Sequence, residues 1–175
     1  MHEIDTDYLI VGAGALGLAF AQSLLDYGDG HITFVDQHAK PGGHWNVAYP
    51  FVNLHQPSAT YGLNSMNLSD ELMDTAGPNK GFYKLATGTQ VLGYFERAMQ
   101  ERFIPSGRVS YYPMSKYQAG TNGEHTIVSS ISGKKTRVNI RRKLVDGSAW
   151  TASVPATHKR KFDIADGVRL TTPGK

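Results

Sequence analysis

Cysteine is absent from the 175-residue chain. That excludes a disulfide scaffold, a zinc–thiolate site, an iron–sulfur cluster and a cysteine nucleophile. Dithiol redox chemistry goes with them, so a redox function would have to come from a bound cofactor. Long apolar runs are missing too, since glycines interrupt each of them well short of a membrane span. The N-terminus, Met1-His2-Glu3-Ile4-Asp5-Thr6-Asp7, lacks the basic and apolar regions of a secretory signal. A soluble, cytoplasmic protein without membrane contact is expected. Acidic residues are scarce in one part of the chain. Residues 101–175 carry fourteen Lys/Arg against five Asp/Glu, whereas residues 1–100 carry four against ten. No RNA-binding aromatic motif or recognition helix accompanies the basic residues, so solvated strand ends that contact an acidic neighbour are favoured over a nucleic-acid surface.

What is present is glycine, nineteen residues in all, concentrated in the first half. Tyr8-Leu9-Ile10-Val11 is a short apolar run of the kind found in buried parallel strands. Glycines 12, 14 and 17 follow, then a helical stretch through Leu18–Leu25 that Gly28 and Gly30 end. His31–Val35 reads as a second strand closed by Asp36, which completes a βαβ-type unit over residues 7–36. Residues 37–88 lose regular periodicity and read as a long cofactor- or substrate-binding loop, with a short helical turn at Ser69–Met73. Apolar residues spaced by three and four predict a helix over 89–103, with Thr87 or Thr89 as N-cap. Strands are predicted at Val109–Tyr112, Tyr117–Gln118, His125–Ser130 and Thr136–Ile140. The last three form a small antiparallel meander over about 115–141, with Asn122-Gly123 and Ser132-Gly133 as turns. A return strand at 142–146 and an irregular tail at 151–175 complete a single domain over 1–175. The predicted class is α/β and Rossmann-like, with a parallel sheet and a small antiparallel β-meander.

Gly12-x-Gly14-x-x-Gly17 sits after a strand and opens a helix, where a dinucleotide-binding turn belongs. The first glycine permits the tight turn, the second close approach to a pyrophosphate, and the third close packing of helix on sheet. The helix N-terminus adds free N–H groups and a favourable dipole. Asp36, nineteen residues past Gly17, is placed to accept hydrogen bonds from an adenosine ribose and disfavours a 2′-phosphate. These features suit FAD and NAD alike. Gly42-Gly43-His44-Trp45 suggests backbone approach to a ligand, with the tryptophan as a flat wall. The spacings among His31, His38, His44 and His55 match no metal-ligand pattern, so no metal is expected. There is no G-x-S-x-G elbow or triad context. His55 and Tyr61 are conceivable acid–base groups without support from spacing, so catalytic residues stay unassigned.

The order Tyr8–Gly17, Asp36, Gly42-Gly43-His44-Trp45 resembles the FAD-binding start of flavin-containing and Baeyer–Villiger-type monooxygenases and related bacterial FAD/NAD(P)-dependent oxidoreductases. The resemblance extends over Tyr49–Ser58, Gly77–Tyr83, Pro105–Val109, Arg141–Asp146 and Val154-Pro155-Ala156-Thr157. It implies that Gly12, Gly14, Ala15 and Gly17 bind the FAD pyrophosphate and Asp36 the ribose. Gly43, His44 and Trp45 would lie along the flavin, and Met114 where backbone contacts to the adenine fall. It further implies NADPH or NADH as external reductant and a small-molecule substrate that the sequence does not identify. Such proteins usually end the strand at 144–146 in Ala-Thr-Gly, where this chain reads Val145-Asp146-Gly147. They also carry a second glycine fingerprint for NADPH, absent here, so a truncated chain is expected, with a partner chain as one source of the missing domain. A catalytically inactive fragment or partner subunit, and an NAD-binding protein, are the alternatives.

Overall fold

The computed structural model describes residues 2–148 and 159–173. Among them, ten elements follow in order: β1 (His2–Val11), α1 (Ala15–Tyr27), β2 (Ile32–Val35), β3 (Gly62–Leu63), β4 (Met66–Asn67), α2 (Gly88–Ala98), β5 (Val109–Tyr112), β6 (Ser115–Ala119), β7 (His125–Ser129) and β8 (Lys135–Asp146). Six strands form one sheet in the order β5-β2-β1-β8-β7-β6, and β3 and β4 form a separate pair. Strands β5, β2, β1 and β8 run parallel, while β7 and β6 are antiparallel additions. The expected α/β class with a parallel sheet and a meander therefore holds.

Period-2 alternation divides the sheet into two faces. Ile10 enters the larger core with Ile32, Phe34, Leu18, Val91, Phe95, Met99 and Phe103. Its neighbour Leu9 joins the smaller cluster of Val35, Ile127 and Val138 on the opposite face. All four residues of β2 are buried, Thr33 included, as expected of a central parallel strand covered on both faces. Phe34 and Phe103 meet edge to face at 6.1 Å, tying the central sheet to the turn that extends α2.

Three readings need correction. The meander's last strand and the return strand are one 12-residue element, β8. Its first residues pair antiparallel with β7, while the whole strand runs parallel to β1. Two segments that looked separate are joined because one edge of β8 is occupied along its length. The register slips where Thr6 and Tyr8 face Ile140 and Lys143, which leaves one extra residue in β8. This bulge breaks the alternation at Arg141-Arg142, so both arginines reach Asp7, at 3.0 and 3.6 Å. Arg142 also holds Asp29 at 2.9 Å, and Arg137 holds Glu124. Much of the basic run thus meets acidic neighbours.

The second correction concerns Ser69–Met73, which is not helical. Met73 instead bridges Tyr83 in an antiparallel contact. Third, the helix expected over 89–103 begins at Gly88 and ends at Ala98, continuing as a π turn over Met99–Phe103 and a 3-10 turn over Ile104–Ser106. The apolar spacing carries through the altered turns, so periodicity alone did not reveal the change. Val154-Pro155-Ala156-Thr157 lies outside the described residues, as does most of the first part of the predicted tail.

Thr87 caps α2 through a capping box: its side chain accepts from the Gln90 N–H, and Gln90 Oε1 accepts from the Thr87 N–H. Thr87→Ala is expected to cost about 1 kcal/mol, read from the urea midpoint at unchanged slope. Asp7 joins three strands, because it accepts from the His31 N–H at 2.7 Å as well as from Arg141. The His31 backbone bond first, and Arg141 second, hold its carboxyl below the ordinary value. Its stabilising contribution is therefore present at neutral pH and lost as pH falls through that depressed value. Asp7→Asn should flatten the acid limb of a stability–pH curve and leave the alkaline limb unchanged.

Candidate functional site

The carboxyl ends of β1, β2, β5 and β8 form one edge, and the chain extends the ladder there past the strand ends. Gly12 N–H donates to Val35 O, Asp36 N–H to Tyr112 O, and Gly147 N–H to Val11 O, at 2.8, 3.0 and 2.8 Å. Ligands of parallel α/β sheets bind outside this edge, where connections leave in opposite directions.

Gly17 fixes the distance between α1 and this edge. A Cβ there would lie 2.2 Å from the Gly12 carbonyl oxygen and 3.3 Å from an Ile10 methyl, so no other residue fits without moving the helix. Gly14 is the N-cap of α1, with no side-chain cap and no acid in the first turn. The first N–H groups of α1 thus remain available with the positive end of its dipole.

The Gly42-Gly43 loop packs directly on this turn. Gly42 N–H donates to Ala13 O at 2.8 Å, and a Cβ on Gly43 would lie 3.0 Å from Gly14 Cα at a φ of +55°. His44, in the following 3-10 turn, is exposed. Trp45 is 9% exposed and belongs to the core, with its Nε1 donating to Tyr61 Oη at 3.0 Å. It supports the Gly43 turn from behind and offers no open wall.

Asp36 is 4% exposed. Its Oδ2 accepts from Ala13 N–H at 2.6 Å and its Oδ1 from His38 N–H at 2.7 Å. An ionised carboxylate has about four acceptor positions, so two remain for hydroxyl donors. The same contacts fix the glycine turn to the end of β2. Met114 has a φ of +47°. Its N–H donates to His38 O and its carbonyl accepts from Ser130 N–H, so its backbone is already engaged on the Asp36 side of the edge.

Gly12, Gly14, Ala15, Gly17, Asp36, Gly43 and Met114 therefore share this edge and its connecting loops. Tyr61 is held by Trp45, and burial pushes its phenol above the ordinary value. His55 is exposed. Among the described residues no group of three His, Asp or Glu is arranged to hold a metal ion, and no helix is long and apolar enough to cross a membrane.

Sequence reasoning treated the segment ending in Gly147 as a departure and missed its structural part. A Cβ on Gly147 would lie 3.0 Å from Val11 O, and Gly17 Cα is also close. The signal was a glycine straight after a strand. Asp146, in the position before it, is held below the ordinary carboxylate value by the Ser148 hydroxyl and then the Ser148 N–H. It adds a negative charge to the edge.

A family model described as NAD(P)-binding Rossmann-like domain matches residues 10–75, the stretch that contains the glycine turn, Asp36 and the Gly42-Gly43 loop. The fold is that of a Rossmann-like dinucleotide-binding domain. Uncharacterized proteins of Mycobacterium tuberculosis and Mycobacterium bovis are 38% identical over 172 residues, covering 98% of this chain. The chain spans 31% of the length of these relatives. Among solved structures, a polycyclic ketone monooxygenase from Thermothelomyces thermophila superposes with a TM-score of 0.61 at 17% identity, over 85% of this chain and 24% of that one. A flavin-containing monooxygenase from Stenotrophomonas maltophilia gives 0.57 at 18% identity, over 85% and 39%. The bacillithiol disulfide reductase of Staphylococcus aureus gives 0.55 at 13% identity, over 83% and 38%. At these identities the likeness is one of fold, structurally related to flavin-dependent monooxygenases.

Gly17→Ala should destabilise the chain by about 3 kcal/mol, because the clash is with backbone. Gly93, inside α2 with nothing within 4 Å of its Cβ position, is the control. Gly93→Ala should stabilise by up to about 1 kcal/mol in the same urea titration.

Proposed function

We propose that the chain is the FAD-binding portion of an FAD-dependent, monooxygenase-like oxidoreductase, with residues 1–175 acting as one dinucleotide-binding domain. The observation that carries the reading is the uncapped start of α1 at Gly14, set against Gly43 backbone and flanked by the buried Asp36. This edge fits the diphosphate and ribose of a dinucleotide: backbone donors without side chains meet the anion, and a carboxylate with unused acceptor positions meets the hydroxyls.

Gly12, Gly14, Ala15 and Gly17 would hold the pyrophosphate and Asp36 the adenosine ribose. Gly43 and His44 would lie toward the flavin, with Trp45 fixing their turn from the core. Met114 would border the adenine through its side chain, since its N–H is taken by His38. When bound, FAD supplies electron transfer between a reduced nicotinamide and a substrate or dioxygen. The chain's own residues would bind and orient it, and none is assigned a proton-transfer role. NADPH or NADH would be the external reductant, used in the cytoplasm. The substrate-binding and reductant-binding parts would come from further sequence of the kind the longer relatives carry, or from a partner chain. Exposed Leu16, Phe20 and Tyr27 on α1 and Leu144 on β8 offer apolar surface for such packing.

A second reading, an NAD-binding protein, is favoured by the NAD(P)-binding description of the matching family model and by an acid at position 36. Visible absorption of the purified chain after incubation with FAD and gel filtration separates the two. The first reading expects retained flavin bands, with Asp36→Asn weakening FAD affinity by about tenfold, the worth of one good hydrogen bond. Bleaching by NADPH would mean that this chain accepts hydride without its missing parts. No flavin retained in excess FAD, together with saturable NAD binding, would establish the second reading instead.

A further inference from the structure

A groove with a volume of about 440 Å³ lies away from the glycine turn, between α2 and the chain that precedes it. One wall is the irregular ribbon made where Met73 bridges Tyr83. Backbone bonds from Asp74 N–H to Phe82 O and from Lys84 N–H to Leu72 O hold that ribbon. The other wall is α2, through Gln90, Tyr94 and Arg97. Leu68, Leu85 and Ala86 also line the groove. The Tyr94 hydroxyl is spent on Leu63 N–H and Met66 O, so what it offers the groove is its ring.

Of the other polar side chains of the lining, Ser58 and Ser69 donate their hydroxyls to the Lys84 and Asp70 carbonyls, and Lys84, Gln90 and Arg97 offer donors. Lys84 and Arg97 are exposed, and neither side chain makes an ion pair or hydrogen bond among the described residues. Lys40, Arg102, Arg137, Arg141 and Arg142, by contrast, each hold a carboxylate. Gln90 uses its oxygen in the capping box, leaving its amide N–H groups. Asp74 is the one acid of the lining, and its Oδ2 accepts from Asn79 Nδ2 at 2.5 Å. Two cations and an amide donor thus share one lining with Leu68, Leu85, Ala86 and the Tyr94 ring, in a volume within the range of small-molecule sites.

We infer that this groove binds a small organic carboxylate, with the acid held by Lys84 and Arg97 and a short apolar tail against Leu68, Leu85, Ala86 and the Tyr94 ring. A cation pair recognises carboxylate by charge-assisted hydrogen bonds, and the lining rewards a tail that inorganic anions lack. The site is independent of the dinucleotide reading.

The test is a titration of the isotope-labelled 175-residue chain with hexanoate, followed by amide chemical shifts. Hexylammonium and inorganic phosphate are the controls. Saturable shifts confined to residues 68–97, with a dissociation constant on the order of millimolar, are expected for hexanoate alone. The Lys84→Ala and Arg97→Ala exchanges together should weaken binding by about tenfold or more. Both side chains are exposed, so the doubly exchanged protein should melt as the parent does. Lys84→Glu supplies a second, charge-reversed variant with the same expected loss. Three results would overturn the inference: no saturable hexanoate shifts, equal response to hexylammonium or phosphate, or hexanoate binding that survives loss of both cations.

Discussion

The carboxyl edge of the sheet depends on the close approach of three stretches of backbone. The turn after β1, the Gly42-Gly43 loop and the chain leaving β8 meet where Gly17 faces the Gly12 carbonyl, Gly43 faces Gly14 and Gly147 faces Val11. Side chains at these positions would hold the segments apart. Their absence lets α1 sit low on the sheet, directs its N-terminus across the edge, and brings Asp36 within reach of the Ala13 N–H. The Asp36 contacts then fix the turn to β2 and the following loop, so one carboxylate organises the loops beside which a ribose would bind.

Charge is arranged around the same sheet with a different result at each end. At the far end, Asp7 gathers the His31 backbone and two arginines brought together by a bulge, converting part of a basic run into a strand junction. At the carboxyl edge, Asp36 holds the Ala13 N–H beside a helix N-terminus with no acid of its own, and Asp146 ends β8 at the same edge. The positive end of α1 is therefore the local attraction for an anion, and the carboxylates suit hydroxyl groups. That division matches the two chemistries of an adenosine diphosphate unit. Away from both, the groove beside α2 carries Lys84 and Arg97 without ion pairs among the described residues, whereas Arg137, Arg141 and Arg142 of β8 each hold a carboxylate.

Much of the edge was legible in the sequence because local rules govern it. The strand–glycine–helix order of residues 8–25 and the acid after the second strand are written within thirty residues, and the structure brings Gly12, Gly14, Gly17 and Asp36 together. Thr87 was readable as a cap for similar reasons. The role of Trp45 was not: a tryptophan after two glycines reads equally well as a ligand wall or as core. Only its burial, with the Tyr61 ring edge-on against it and Phe95 behind Tyr61, puts it in the core. Gly147 was visible as a glycine, but its partners Val11 and Gly17 lie more than 120 residues away in sequence.

What the sequence by itself determined was the α/β class, the parallel βαβ start and the capacity for a dinucleotide turn, since each follows from hydrophobic period, glycine spacing and chain order. The tertiary structure alone decided that β8 is one strand shared between the meander and the parallel sheet, because one neighbour, β7, directly precedes it while the other, β1, lies more than 120 residues away. It also decided that the chain at Leu72, Met73 and Asp74 pairs with residues 82–84 as a ribbon rather than belonging to a helical turn. Pairing partners and close backbone approaches are set by what lies across space, and a single sequence read along its length carries only the half of each contact that is local.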